Sequence, residues 1–268
     1  MGALSGVRTA LVQGGTRGIG LEFVKRLAAQ PHVETVFATG RSAASNLNGG
    51  GSKDSDGNSM LMIDPVLAKK VVPVHVDIRE EDSIKAASEQ VKAACGGRLH
   101  FVLNASGFLH RAHDGVGPER KLADVRPELI HDNFSVNAFA PILWAKHLAP
   151  LLKHKEPAVF ASISARVGSI SDNGMGGWFS YRASKAAQNM YMRCLAIEWR
   201  RTHKNVTVLS LHPGTVSTDL SAPFVGNVRP EKLFTTEQSV NHLWNVMDAT
   251  TPADTGKFLA WDGKEIPF

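Results

Sequence analysis

Only two cysteines, two tyrosines and no long apolar run are found among the 268 residues of this sequence. A membrane-crossing helix needs about 18 or more consecutive apolar residues, so no membrane partner is expected. Cys95 and Cys194 lie in different halves of the chain, and neither has a partner at metal-ligand spacing. A disulfide-stapled secreted fold is thereby excluded, and reduced thiols in the cytoplasm or an organellar matrix are expected. The opening "MGALSGVRTALVQGG" lacks the basic region, apolar stretch and cleavage site of a secretory signal, and Gly6 stands where myristoylation requires Ser or Thr. The final "EIPF" matches no retention or peroxisomal address. A net charge of +5 invites nucleic acid, but lysines and arginines are scattered and no basic run is interleaved with aromatics. No nucleic-acid partner is therefore expected. His110, His113 and Asp114 in "LHRAHDG" lack a further ligand at useful spacing, so this reads as a polar loop and no metal is expected.

What the chain does have is regular alternation. The short apolar runs "TALVQ", "TVFATG", "VVPVHVD", "LHFVLNAS", "PAVFASIS", "NVTVLSLHPG" and "KFLAWDG" read as strands. Between them lie amphipathic segments, including "GIGLEFVKRLAAQ" with Ile19, Phe23 and Leu27 on one face, and a long helix over "NFSVNAFAPILWAKHLAPLL". The strands are apolar on both faces, as buried parallel strands are. This pattern predicts a single α/β domain over residues 1–268, a doubly wound and mostly parallel sheet flanked by helices on both faces. The one low-complexity segment, at about 43–59, is too rich in Gly, Ser, Asn and Asp to pack and reads as a flexible surface insertion.

"TALVQGGTRGIG" ends the first strand and opens the first helix, with Gly14, Gly18 and Gly20 in the turn. Such glycines let phosphates approach the backbone, and the helix start offers free N–H groups and a positive dipole end. A plain tight turn is the alternative, but strand before and helix after favour a nucleotide site spanning Gly14, Thr16, Arg17, Gly18, Ile19 and Gly20. An NAD site usually carries an acid about twenty residues further on. Here "TGRS" supplies Arg41 instead. With Arg17, it suits a 2′-phosphate by charge-assisted bonds, which points to NADP, unless both are plain surface charges.

In "GGWFSYRASKAAQ", Tyr181 precedes Lys185 by one helical turn, so both lie on one face. An unperturbed phenol titrates near pH 10, and a nearby ammonium lowers that value. With the glycine loop, "VDI", "NASG", "SVNAF" and "HPGTVSTDL", the chain resembles the short-chain dehydrogenase/reductase family over essentially its whole length. "ARVGSISDN" and "AWDGKEIPF" resemble its sniffer and C-factor carbonyl reductases.

The resemblance implies that Asp77 and Ile78 hold the adenine edge and that Asn104, Ala105 and Gly107 line the cofactor. Pro213, Gly214, Val216 and Thr218 would cover the nicotinamide side. Tyr181 would exchange the proton, Lys185 would also bond the nicotinamide ribose, and Asn137 would hold a water connecting the pair to solvent. A nicotinamide's positive charge would lower the phenol's pKa further. Gln13, and Ala105 with Ser106, depart from the family's commoner residues as packing changes. The catalytic serine normally precedes x-x-Gly, where Ala165 stands before Gly168. Ser164 is the assigned hydroxyl, with Ser169 as the alternative. Trp178 and Phe179 suggest an aromatic wall beside a small, largely apolar aldehyde or ketone, or simply core. The implied activity is NADPH-dependent carbonyl reduction, and the other reading is an NADP(H)-sensing regulator with little turnover. A homodimer or homotetramer would form through the Asn137 and Tyr181 helices.

Overall fold

The protein is seen as a computed structural model that describes residues 2–43, 63–111 and 115–268. The first half runs β1 (Thr9–Gln13), α1 (Gly18–Ala28), β2 (Thr35–Gly40), α2 (Pro65–Ala68), β3 (Val71–His75), α3 (Glu81–Ala94) and β4 (Phe101–Asn104). Next come α4 (Pro127–Phe134), a π-helical turn (Ser135–Phe139), α5 (Ala140–Leu152), β5 (Ala158–Ile163) and α6 (Phe179–Thr202). The chain closes with β6 (Val206–His212), β7 (Thr215–Val216), β8 (Leu233–Phe234), α7 (Thr236–Asp248) and β9 (Lys257–Ala260). Seven strands form one sheet in the order β3-β2-β1-β4-β5-β6-β9, and β7 with β8 forms a small second one. All these pairings are parallel.

Burial on both faces explains the near-continuous apolar strands. Phe23, Val24 and Leu27 of α1 and Val240, Leu243 and Met247 of α7 cluster with Val12, Phe101, Ala161 and Leu209. Neighbouring strand residues Leu11, Val102, Phe160 and Val208 cluster instead with Ile84, Val91, Trp144, Leu148, Met192 and Trp199 of α3, α5 and α6. Edge strand β3 is the exception: Val72 and His75 are exposed. An edge also tolerates Pro73, which has no N–H for the ladder.

The long helix expected over 133–152 is divided. α4 starts earlier, at Pro127, whose fixed φ and missing N–H suit a first helical position. The π-helical turn then separates it from α5, as such turns often do at functional sites. The predicted insertion at 43–59 lies outside the described residues, apart from buried Ala43.

Because the strand order reverses between β1 and β4, their C-terminal ends open a crevice, where ligands of such sheets bind. The glycine turn follows β1, and "NASG" follows β4.

Candidate active site

The glycine turn has little room for side chains. Gly14 and Gly18 have φ of 77° and 52°. A Cβ at Gly20 would sit 2.1 Å from the Gly14 carbonyl oxygen, and one at Gly14 would sit 2.5 Å from Ser106 Oγ. Arg17, the residue before α1, places no side-chain cap on the helix. The first α1 N–H groups are left for an anion, so the cradle fits a phosphate-bearing nucleotide. Thr16 packs against Gly40, and Ile19 leans on the core behind the turn.

Gln13 and Ser106 are more than packing changes. Gln13 Nε2 donates to Ser106 Oγ at 2.6 Å, and the Ser106 N–H donates to Gln13 Oε1 at 3.3 Å. The two departures from the family pattern thus form one polar joint between the ends of β1 and β4. Buried Asn104 donates to Ser162 Oγ at 3.1 Å. Ala105 packs on the core, and a Cβ at Gly107 would face Leu220 at 3.5 Å.

Toward the other end of the crevice, Asp77 Oδ1 accepts from the Arg79 N–H at 3.0 Å, and Ile78 leans on the core. Arg41 is exposed, and its carbonyl faces His75 Nδ1 at 2.8 Å. Arg17 is directed to Asp219 at 3.6 Å, an exposed pair. After β6, the Pro213 carbonyl accepts from Ser239 Oγ, Val216 is buried in β7, and the Thr218 N–H donates to Ser221 Oγ. Gly214, with φ 79°, leaves no room for a Cβ, which would lie 2.6 Å from the Phe234 ring.

Tyr181 and Lys185 come together as the helical spacing predicts, both buried on α6, with Lys185 Nζ 5.9 Å from the tyrosine ring centre. Lys185 Nζ donates to the Ile163 carbonyl at 2.8 Å and to Gln188 Oε1 at 2.9 Å. Burial drives the lysine pKa down to about 7. The phenol was expected to be lowered. Here burial pushes it above its ordinary value, because desolvation of a phenolate outweighs an ammonium that is not bonded to it.

Asn137 lies in the π-helical turn and is fully buried. Its amide grips the Phe108 backbone twice, accepting from N–H and donating to C=O, each at 2.8 Å. It also donates to Ser184 Oγ at 3.0 Å, and Ser184 bonds the Tyr181 carbonyl. Its side chain therefore ties the loop after β4 to the helix of Tyr181 and Lys185.

Ser164 is 2% exposed, and its hydroxyl donates to Asn189 Oδ1 on α6 at 2.7 Å. Its one proton is committed there, which argues against the assignment of Ser164 as the substrate's donor. Ser169 Oγ accepts from the Asp172 N–H and is equally buried. Ala165, partly exposed, stands in the expected serine position.

The aromatic wall is also redrawn. Trp178, with φ 49°, packs edge-on to Tyr181 with ring centres 6.2 Å apart, and lies 5.1 Å from Phe224. Phe224 in turn meets His110 edge-on at 5.5 Å, whereas Phe179 is exposed. His113 and Asp114 of the expected polar loop lie outside the described residues, and His110 Nε2 faces the Leu220 carbonyl at 3.3 Å. Among the described residues no cluster of three or more His, Cys, Asp or Glu could hold a metal ion. Among the same residues no helix is long and apolar enough to cross a membrane. Cys95 is buried and Cys194 exposed, both free.

Sequence reasoning missed three polar groups. Gln188 stands one turn beyond Lys185, a spacing that could have exposed it. Glu119, 2% exposed, receives the Ser180 hydroxyl, and its carbonyl accepts the Trp178 N–H at 2.6 Å; no local pattern marks it. His212 ends β6 beside Pro213, and its Nδ1 is buried without a partner among the described residues.

Residues 8–227 match the short chain dehydrogenase family, and the chain belongs to that family of oxidoreductases. It is 33% identical to 1-hydroxy-2-glutathionyl-2-methyl-3-butene dehydrogenase of Rhodococcus sp. (strain AD45), over 70% of this chain and 76% of that protein. Among solved structures it resembles NADPH-bound carbonyl reductase from chicken fatty liver, with a TM-score of 0.77, 29% identity, and 98% and 99% of the two chains covered. Carbonyl reductase Sniffer of D. melanogaster shares the fold, with a TM-score of 0.78, 24% identity, and 98% and 100% coverage.

His212 generates a pH prediction. Burial, with Arg166 nearby, lowers its pKa to about 4, against a partial offset from Asp262. The unfolded chain takes up this proton near pH 6.5, the folded chain not until about pH 4. Stability from this group is full above pH 6.5 and is lost as pH falls, by about 2 kcal/mol at pH 5. Urea midpoints measured from pH 7 to 5 should fall less steeply for His212→Gln than for the native chain; parallel slopes would contradict this assignment.

Proposed function

We propose that the chain is an NADPH-dependent carbonyl reductase acting on small, largely apolar aldehydes or ketones. The observation that carries this reading is the burial of Tyr181 and Lys185 side by side on α6. NADPH supplies a hydride to the carbonyl carbon when bound. Tyr181 gives its hydroxyl proton to the carbonyl oxygen as charge develops there. Burial favours this direction, because it keeps the phenol protonated near neutral pH, the form a donor needs. Lys185 stabilises the phenolate left behind and reaches the ribose hydroxyls. Asn137 orders the water path that returns a proton.

Arg41 and Arg17 hold the 2′-phosphate, while Asp77 and Ile78 take the adenine edge. The Arg17–Asp219 pair is exposed and weak, so a doubly charged phosphate displaces it. Gly14, Gly18 and Gly20 admit the pyrophosphate, Asn104, Ala105 and Gly107 line the crevice, and Pro213, Gly214, Val216 and Thr218 close it. The NADPH carried by the chicken relative supports this cofactor. The wall of Trp178, Phe224 and His110 supports an apolar substrate. Phe179, Met190, Tyr191 and Ile197 leave apolar surface on α6, which supports a homodimer or homotetramer through this helix. Cytoplasmic residence fits the free thiols.

A second reading, an NADP(H) sensor with little turnover, is favoured by Ala165 in the serine's place. Loss of NADPH absorbance across a panel of aldehydes and ketones separates the two. Tyr181→Phe should slow reduction by about 10² to 10⁴ while leaving NADPH binding nearly unchanged. Near-native turnover would remove the role given to Tyr181.

A well-placed donor to the developing alkoxide is typically worth about 10² to 10³ in rate. With Ser164 bonded to Asn189, Ala165→Ser should raise kcat toward that factor, and Ser164→Ala should change it little. A large loss in Ser164→Ala with no gain in Ala165→Ser would restore Ser164 as the substrate's donor.

A further inference from the structure

Buried lysines are costly, and the acceptors around Lys185 are few. Its ammonium has three N–H groups. One is taken by the Ile163 carbonyl at 2.8 Å and one by Gln188 Oε1 at 2.9 Å. Gln188 is 1% exposed and sits one turn along α6 from the lysine. Its orientation is set by the surroundings. Gln188 Nε2 donates to the same Ile163 carbonyl at 3.3 Å. Turning the amide over would place its oxygen against that carbonyl and an N–H against the ammonium, losing both bonds.

Among the described residues no charged side chain forms a hydrogen bond or ion pair with Lys185. Tyr181, on the same helix, is the titratable group beside it. From β5 comes only the Ile163 carbonyl bond. The turn Arg166–Gly168 packs Gly168 against the lysine, since a Cβ there would lie 2.7 Å from Lys185 Cβ. Arg166 of that turn pairs with Asp172 at 3.2 Å. On the side of the π-helical turn, neutral Asn137 bonds Ser184.

We propose that Gln188 is a positioning residue for Lys185: its amide oxygen keeps the buried ammonium charged and fixed, with one N–H left for the cofactor ribose. This rests on the reading of Lys185 as part of the catalytic pair. A buried amine without a charge-stabilising acceptor neutralises, and the phenolate beside it then loses its counter-charge. Gln188 thereby holds the charge of a group that burial has already brought to about pH 7.

The test uses the free protein and needs no substrate. Lysine labelled with ¹³C at Cε gives a titration curve for Lys185 by NMR, identified by its absence in Lys185→Met. Removing the acceptor in Gln188→Leu should lower the midpoint by about one to two pH units, and Gln188→Glu should raise it. Gln188→Met serves where the leucine variant fails to fold. In the active enzyme the high-pH limb of kcat should move the same way in each variant. A role in packing alone would leave the lysine midpoint where it is in Gln188→Leu and Gln188→Met, and that result would overturn the proposal, whereas a carboxylate in Gln188→Glu raises it in either case and serves as the control. If the midpoints move as expected but no carbonyl is reduced, the reductase reading falls and the assignment of Gln188 stands. With the leucine and methionine midpoints unmoved in an active enzyme, the reductase reading stands and the assignment of Gln188 falls.

Discussion

The site turns on a conflict that burial creates for Tyr181 and Lys185. Dry surroundings favour the neutral form of each, raising the phenol and lowering the ammonium. For the proton donor proposed here a protonated phenol is useful, but a neutral lysine would leave the resulting phenolate uncompensated. In the proposed mechanism the second problem is met by oxygen acceptors instead of a carboxylate. The Ile163 carbonyl and Gln188 bond the ammonium without adding charge. A carboxylate in their place would hold Lys185 charged but would also oppose ionisation of Tyr181.

The rest of the fold brings that pair to a crevice. Parallel strands buried on both faces place the ends of β1, β4, β5 and β6 at one edge of the sheet. The Gln13–Ser106 joint fixes the distance across the switch point, and the Gly14 turn lies against it. Asn137 connects the next loop to α6 through Phe108 and Ser184. Glu119 anchors the turn that enters α6, where Gly176, Gly177 and Trp178 all have positive φ. These bonds join separate loops, so α6 is held at its start and along its inner face.

Much of this could be read from the residues alone. Alternation of apolar runs and amphipathic segments pointed to the parallel sheet, because buried strands and one-faced helices have different periods. Gly14, Gly18 and Gly20 were legible because steric need selects glycine, and Tyr181 with Lys185 because helical spacing pairs them. Contacts between distant segments were hidden. Nothing in "SISARVG" shows that Ser164 faces Asn189, and Glu119 sits far in sequence from Ser180. The split of the long helix is hidden too, because a π-helical turn barely disturbs the apolar pattern. The direction of the Tyr181 shift runs against expectation, since a pair of charges is visible in sequence and the dryness around them is not.

Everything proposed for the site therefore depends on the ionisation of one phenol. Of the two tyrosines in the chain, Tyr191 can be replaced by phenylalanine, leaving Tyr181 as the sole source of tyrosinate absorbance. Ultraviolet difference titration of Tyr191→Phe, with and without NADP⁺, then reads Tyr181 directly. The expected result is no ionisation near pH 10 in the free protein, and a midpoint lower by about two pH units or more once the positive nicotinamide is bound. Ionisation near pH 10 in the free protein, or a midpoint indifferent to NADP⁺, would contradict it.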